Sequence, residues 1–366
     1  MNRVTSGWLA ACAIACVLAT IPAQTQQTAV PDIPFDADTD FLKLPPEMHL
    51  GEAAGVAVNS QGHVFVFNRG NTSGPAFGAT AAQLLEFDAA GKFVREIGHN
   101  LYAFSYAHTV RIDRNDNIWA VDKGSDMVVK FTPAGRVSMV FGRKKEASDE
   151  ALPWARVTPP LAPINGRFRQ PTDVTWDGQG NIFISDGYIN SRIAKYDRNG
   201  DWVASFGTPG TGTGQFNTPH SIASDAQGNL YVADRGNLRI QVLDPNGNFL
   251  RAITLGVPVP PDAKPAIDNP PGPDSPPQYK AGSPWAVCIT PGPTQYLYAS
   301  DAFPGRIYKM TLDGKILGVL GRAGKQAKQF GWIHEMACPS ENTLFVAEVL
   351  NWRVQKLTLR PGPTAR

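Results

Sequence analysis

Charge, cysteine and long apolar runs are all scarce in this chain, and each shortage removes a class of protein. Charged residues make up 18% of the 366 and the formal net charge is +2, too little for a disordered chain or for one that coats a nucleic acid. No nucleic-acid partner is therefore expected. Of 4 cysteines, Cys12 and Cys16 fall in the first apolar stretch, leaving Cys288 and Cys338 for the body of the chain. One disulfide is possible in an oxidising compartment. A fold of this size does not need it, however, and the two cysteines occupy neighbouring, non-identical registers of the repeat described below, so their pairing stays open. The apolar run from Trp8 to Ile21 is short for a membrane span. It follows Met1-Asn2-Arg3 and precedes Pro22-Ala23 and a Gln/Thr stretch, the layout of a cleavable secretory signal. Residues 1–23 are thus expected to be a signal peptide and the mature protein to be secreted or periplasmic, with lipoprotein anchoring at Cys12 in Leu9-Ala10-Ala11-Cys12 as the alternative. Residues 24–38 read as a flexible segment and 362–366 as a tail.

What the chain does hold is apolar residue, 42%, with aromatics at 10%, ample for a core, and a repeat of about fifty residues. Each copy runs through an apolar alternation, an Asp/Asn-Gly-Asn turn, a second alternation ending in Asp, a Gly/Asn-rich turn and Arg-Ile or its equivalent. The clearest copy spans Ile222 to Leu250. Period-two segments broken by Gly-Asn and Asn-Gly are antiparallel hairpins, so each copy supplies one four-stranded sheet. Six copies register on the residue that ends the second strand: Asn68, Asp122, Asp186, Asp234, Asp301 and Glu348. The fold class read from this is all-β, a six-bladed β-propeller over residues 39–361. The last copy is one strand short, and Asp40-Phe41-Leu42-Lys43-Leu44 is expected to complete the sixth blade and close the ring. Three segments exceed the repeat, Gly70 to Gln83, Lys144 to Arg167 and the proline-dense Gly256 to Gly282, and are read as partial lids.

Counting back fourteen residues from the registered position, with a small allowance in blade five, gives the start of the innermost strand. There stand Ala54, His108, Thr172, His220, Trp285 and His334. Histidine occupies alternate blades, about 120° apart in a six-fold ring, so three imidazoles can meet near the axis. One histidine there can simply hydrogen-bond to backbone, but three at threefold spacing with an open fourth position suit a catalytic zinc. The residues just past the second strand sit at the same end: Arg69, Lys123, Tyr188, Arg235 and Phe303. Guanidinium groups bind carboxylates, and a phenol beside cations and a metal has a lowered pKa and can act as a base. Taken singly, Arg235 can also be a solvated turn residue and Tyr188 a rim aromatic.

These residues, in the blocks Phe67-Asn68-Arg69-Gly70, Ala107-His108-Thr109-Val110-Arg111, Ser185-Asp186-Gly187-Tyr188-Ile189-Asn190-Ser191-Arg192-Ile193 and Pro219-His220-Ser221-Ile222, resemble the peptidyl-α-hydroxyglycine α-amidating lyases. The repeats are of the NHL type found in that family. The resemblance runs from about Gly55 to Lys356 and implies a zinc-dependent lyase that splits a carbinolamide into an amide and glyoxylate. It would make His108, His220 and His334 zinc ligands, Tyr188 the base, and Arg69 and Arg235 the groups that orient the substrate and Tyr188. It further implies a structural calcium on the carbonyls of Val56 and Val110 and on Glu335, where the family has Asp. Trp332 stands where the family has Met, and the family's disulfide cysteines are missing, with Ile189 after Tyr188. The copper-binding monooxygenase half that makes the hydroxyglycine is not expected among these residues, so another protein would supply the substrate. The expected partner is a small-molecule or peptide substrate ending in α-hydroxyglycine, met by a monomer with no membrane span. A non-catalytic NHL propeller that binds a protein or polymer is the competing reading. Another metal-dependent propeller enzyme, such as a lactonase, is a third, although such sites use Glu, Asp and Asn ligands for calcium.

Overall fold

The computed structural model describes residues 30–70, 82–145, 156–267 and 269–360; the expected signal peptide and C-terminal tail lie outside the described residues. Six antiparallel four-stranded sheets follow one another along the chain. Their innermost strands are Glu52–Val58, Ala107–Ile112, Asp173–Trp176, Pro219–Ser224, Val287–Ile289 and Ile333–Ser340, in blades 1 to 6. Each blade is covered on both faces by its neighbours, so its inner strands are apolar at consecutive positions, as in Ile118–Asp122, where every residue is buried. The outer strands face water and alternate instead, as Trp202–Phe206 does. Clusters between neighbouring blades form the core. Phe67, Leu84, Phe104 and Val129 join blades 1 and 2, and Trp119, Val174, Ile184 and Tyr196 join blades 2 and 3.

The residue that registers each repeat turns out to be a staple. Asp122, Asp186, Asp234 and Asp301 and Glu348 are buried, as is Asn68. Each accepts a hydrogen bond from a backbone N–H just ahead of its own blade's inner strand: Gly51 to Asn68 at 3.2 Å, Ser105 to Asp122 at 2.8 Å, Arg169 to Asp186 at 2.9 Å, Asn217 to Asp234 at 2.7 Å, Gly282 to Asp301 at 3.3 Å and Gly331 to Glu348 at 2.7 Å. In three blades the buried charge is balanced by the Arg of the repeat, with Arg192, Arg239 and Arg353 donating through Nε to Asp186, Asp234 and Glu348. The staple fixes where the chain turns toward the axis, because an unmet buried carboxylate is far costlier than one holding two or three donors.

The ring closes with an N-terminal strand, but not the expected one. Phe35–Asp38 pairs antiparallel with Arg353–Leu359, from Phe35 opposite Leu359 to Asp38 opposite Lys356. The part of 24–38 that is described is therefore built into the sheet rather than flexible, and Ile33 also bonds to Val319 of blade 5 at 2.8 Å. The stretch from Asp40 to Leu44 instead crosses to blade 1, where Lys43 N–H meets Gly91 O at 2.7 Å. There Lys43 makes a parallel bridge opposite Lys92, with Phe93 N–H returning to Lys43 O at 3.2 Å, while Phe41 packs against Phe345 at 5.6 Å.

Cys288 and Cys338 form a disulfide across the inner strands of blades 5 and 6, with Cα atoms 6.1 Å apart. In the sixth blade the pairing is irregular between Ala337 and Ser340, the stretch that holds Cys338. The bond closes a separation of 50 residues. Replacing both cysteines by alanine is expected to lower stability by about 2–4 kcal/mol, and reducing the wild type should reproduce the fall in its denaturation midpoint. Equal midpoints for the oxidised wild type and the double variant would show that the bond carries no stability.

Candidate metal centre and active site

Three residues after the stapled N–H of blades 2, 4 and 6 come His108, His220 and His334, and all three are buried. Their rings converge as the repeat register expects, with centroids 4.6 to 4.9 Å apart and one ring nitrogen of each within 4.8 Å of the others. The odd-numbered blades hold them in place. Nδ1–H of His108 donates to Thr172 O at 2.6 Å, that of His220 to Trp285 O at 2.7 Å, and that of His334 to Ala54 O at 2.7 Å. Because a carbonyl can only accept, each imidazole carries its proton on Nδ1 and turns the Nε2 lone pair inward. Burial holds all three well below their ordinary pKa, helped at His108 by the other two histidines and then Lys123 and Arg69, at His220 by Arg235 and then His334 and Lys123, and at His334 by Arg69, Arg235 and Lys123. Three neutral imidazoles with oriented lone pairs fit a zinc ion.

Tyr188 reaches the same point from the corner after the second strand of blade 3. Gly187 lets it do so: a Cβ there would stand 2.0 Å from Pro219 O, so only glycine passes the next blade this closely. The Tyr188 hydroxyl lies 3.3 Å from Nε2 of His108 and 3.2 Å from Nε2 of His220. Burial alone would raise its pKa, but Lys123, Arg235 and Arg69 together outweigh burial and lower it. Lys123 stands 3.7 Å from the ring centroid and Arg235 5.4 Å, the latter also hydrogen-bonding the phenol. Arg69 acts only through its field. Its own hydrogen bonds go to Ala107 O at 3.1 Å, to Glu52 and to Tyr106, and its guanidinium lies 3.9 Å from the Tyr106 ring centroid.

One positioning group was not visible in the sequence. Arg156, in the insertion between blades 2 and 3, donates Nε–H to Tyr188 O at 2.8 Å and its terminal nitrogens to Ser191 Oγ at 3.0 Å and Thr218 Oγ1 at 2.7 Å. It clasps the loop that carries Tyr188 to the strand that carries His220. Nothing marked it, because it lies outside the repeat and only its fold neighbours reveal its role.

The residues of the expected calcium site are arranged differently. Arg111, next to Val110, extends along the channel below the histidines. It pairs bidentately with Asp173 at 2.9 and 2.6 Å and also donates to Met336 O, Ser221 Oγ and Val287 O, each at 3.3 Å. Glu335 Oε1 lies 2.9 Å from Arg111 Nε, whose N–H points at Asp173, while Glu335 Oε2 accepts from Val110 N–H at 3.2 Å. A guanidinium from blade 2 thus contacts blades 3, 4, 5 and 6 and stands against the one carboxylate of the set. A calcium ion would share Glu335 with a cation already in contact with it, so Val56, Val110 and Glu335 as arranged here do not fit calcium. Among the described residues the trihistidine is the one cluster of three or more His, Cys, Asp or Glu close enough to hold a metal.

Known proteins resemble the chain in repeat type, in sequence and in fold. Residues 216–243, the greater part of blade 4, match the NHL repeat. A probable peptidyl-α-hydroxyglycine α-amidating lyase of Caenorhabditis elegans is 28% identical over 185 residues, covering 46% of this chain and 48% of that protein. The chain is similar to the amidating lyases. Peptidyl-glycine α-amidating monooxygenase A of Xenopus laevis is 27% identical over 349 residues, 87% of this chain and 32% of that one. The chain thus matches between about a third and a half of the length of these relatives. In fold it is similar to virginiamycin B lyase of Staphylococcus aureus, with a TM-score of 0.53 at 15% identity over 89% of this chain and all (100%) of that one.

Two results are expected from the channel. The thermal midpoint of the wild type should not move between a calcium chelator and millimolar calcium. Arg111→Met, which strands two buried carboxyl groups, should cost about 3–5 kcal/mol of stability, read by chemical denaturation. A calcium-dependent rise in the wild-type midpoint would contradict the reading of Arg111.

Proposed function

We propose that the chain is a zinc-dependent lyase that cleaves peptidyl- or N-acyl-α-hydroxyglycine to an amide and glyoxylate. The observation that carries this is the meeting of three inward Nε2 lone pairs with a phenol whose pKa is lowered by Lys123, Arg235 and Arg69. A structural histidine cluster would have no use for a tyrosine made more acidic at its centre. Zinc, when bound, supplies Lewis acidity toward the substrate's hydroxyl oxygen.

The chain's own residues do the rest. Tyr188 as phenolate takes the hydroxyl proton, the freed electron pair forms the aldehyde C=O of glyoxylate, and the carbon–nitrogen pair leaves with the amide nitrogen. That nitrogen recovers the proton from Tyr188, so atoms and charge balance and the phenolate is regenerated. Arg235 and Arg69 supply positive charge for the glycine-derived carboxylate, Lys123 stabilises the phenolate, and Arg156 holds the Tyr188 loop. The site binds α-hydroxyglycine made by a separate oxidation. We infer secretion as well, which the disulfide supports, since such bonds persist in oxidising compartments. Among the described residues no helix is long and apolar enough to cross a membrane.

Glyoxylate release from an α-hydroxyglycine substrate should require zinc and stop with a chelator. Tyr188→Phe should lower kcat/KM by about 100-fold or more with zinc content unchanged, and His220→Ala should lose the metal. Turnover that survives both substitutions would refute this mechanism, and a zinc-loaded protein without turnover would favour a binding propeller.

A further inference from the structure

The channel end that holds the histidines is walled unevenly. From His220 a continuous run of rings leads outward: Trp285 edge-on at 5.1 Å, Trp332 at 5.4 Å from Trp285, and Tyr279 stacked on Trp332 at 5.3 Å and 29°. Exposure grows along the run, from 6% at Trp285 to 36% at Tyr279. Two of the rings come from features that a blade does not require. Tyr279 ends the short helix Pro277–Tyr279 in the proline-dense insertion, which is tied to the wall by Trp285 Nε1–H donating to Gln278 O at 2.9 Å. Trp332 takes the place that Gln170 and Thr218 hold in the left-handed turns of blades 3 and 4, at φ 56° against their 60° and 61°, so the turn is the repeat's own and the bulky ring, which that conformation disfavours, is not. The inner end of the run is capped by Arg235, whose guanidinium carbon is 4.4 Å from the Trp285 ring centroid and whose buried Nε has no hydrogen-bond partner. A buried guanidinium N–H without an acceptor is costly, and an oxygen from a bound molecule would satisfy it.

We propose that this strip is the subsite for the acyl half of the substrate and selects an aromatic acyl group, with Arg235 Nε–H taking an oxygen of the same molecule. The lyase reading supplies the other half, the α-hydroxyglycine. A flat ring laid along Trp332 and Tyr279 gains offset-stacking contact that a short aliphatic acyl group cannot make. The strip is continuous with the metal centre, so an acyl group on it lies beside the carbinolamide that the histidines and Tyr188 address.

The test compares N-benzoyl- with N-acetyl-α-hydroxyglycine in zinc-loaded wild type, Tyr279→Ala and Trp332→Asn. Asparagine tolerates the left-handed backbone at 332, so that variant removes the ring and keeps the turn, while Tyr279 is exposed enough to truncate safely. The wild-type kcat/KM should favour the benzoyl substrate by about tenfold or more, and each variant should bring the ratio to within about threefold. In parallel, the unreactive N-benzoylglycine and N-acetylglycine are titrated calorimetrically against the same proteins. Equal turnover of the two substrates by the wild type, or a ratio unchanged in both variants, overturns the aromatic subsite and leaves the lyase standing. Should neither substrate turn over, tighter binding of N-benzoylglycine that Trp332→Asn abolishes would sustain the subsite without the lyase. Equal binding of the two acids in that case overturns it.

Discussion

The site depends on a buried acid that touches no substrate. At the end of each second strand an Asp, or its Asn or Glu equivalent, holds the backbone N–H that precedes the inner strand. In blades 2, 4 and 6 the held residues are Ser105, Asn217 and Gly331, each three positions ahead of a histidine. The same bond therefore sets the depth and the angle at which three imidazoles enter the channel. The intervening blades then supply the carbonyls of Thr172, Trp285 and Ala54 that choose the tautomer. Alternation around the ring divides the labour, with even blades providing ligands and odd blades orienting them.

Electrostatically the centre is lopsided. The histidines are neutral, while Lys123, Arg235 and Arg69 surround Tyr188 with positive charge, Arg69 being paired with Glu52. Such a field favours any species that brings or creates negative charge there, whether a carboxylate or a phenolate. One level down the channel, Arg111 is fully engaged with Asp173, Glu335 and carbonyls and adds rigidity in place of reactivity.

Much of this was legible because it repeats. The Asp, Asn and Glu positions that end the second strands registered all six blades, and counting back from them found His108, His220 and His334 without any contact information. Tyr188 and Arg235 followed from the hairpin geometry of the same repeat. What the sequence did not reveal lies where periodicity stops. Phe35–Asp38 is a short strand with two acidic residues that looks like a linker, whereas Asp40 to Leu44 looks like a full strand and makes an isolated bridge, Lys43 to Lys92 of blade 1. Arg156 belongs to an insertion, outside the repeat that registers the blades. Arg111 sits in a recognisable block, yet its contacts with four other blades arise only when the ring is closed, so no local pattern announces them. The disulfide lies likewise at a strand irregularity that a fixed register conceals.

Ring closure by residues at opposite ends of the chain has a consequence for the order of events. Phe35 cannot meet Leu359 until nearly all of the polypeptide is available, and a contact of such long range is among the slowest to form. Until then the sixth sheet keeps a bare edge and Arg111 lacks its partners from the later blades. Any intermediate in which blade 6 has not joined blade 1 is an open arc of blades, and the axis on which three histidines meet exists only in the closed ring.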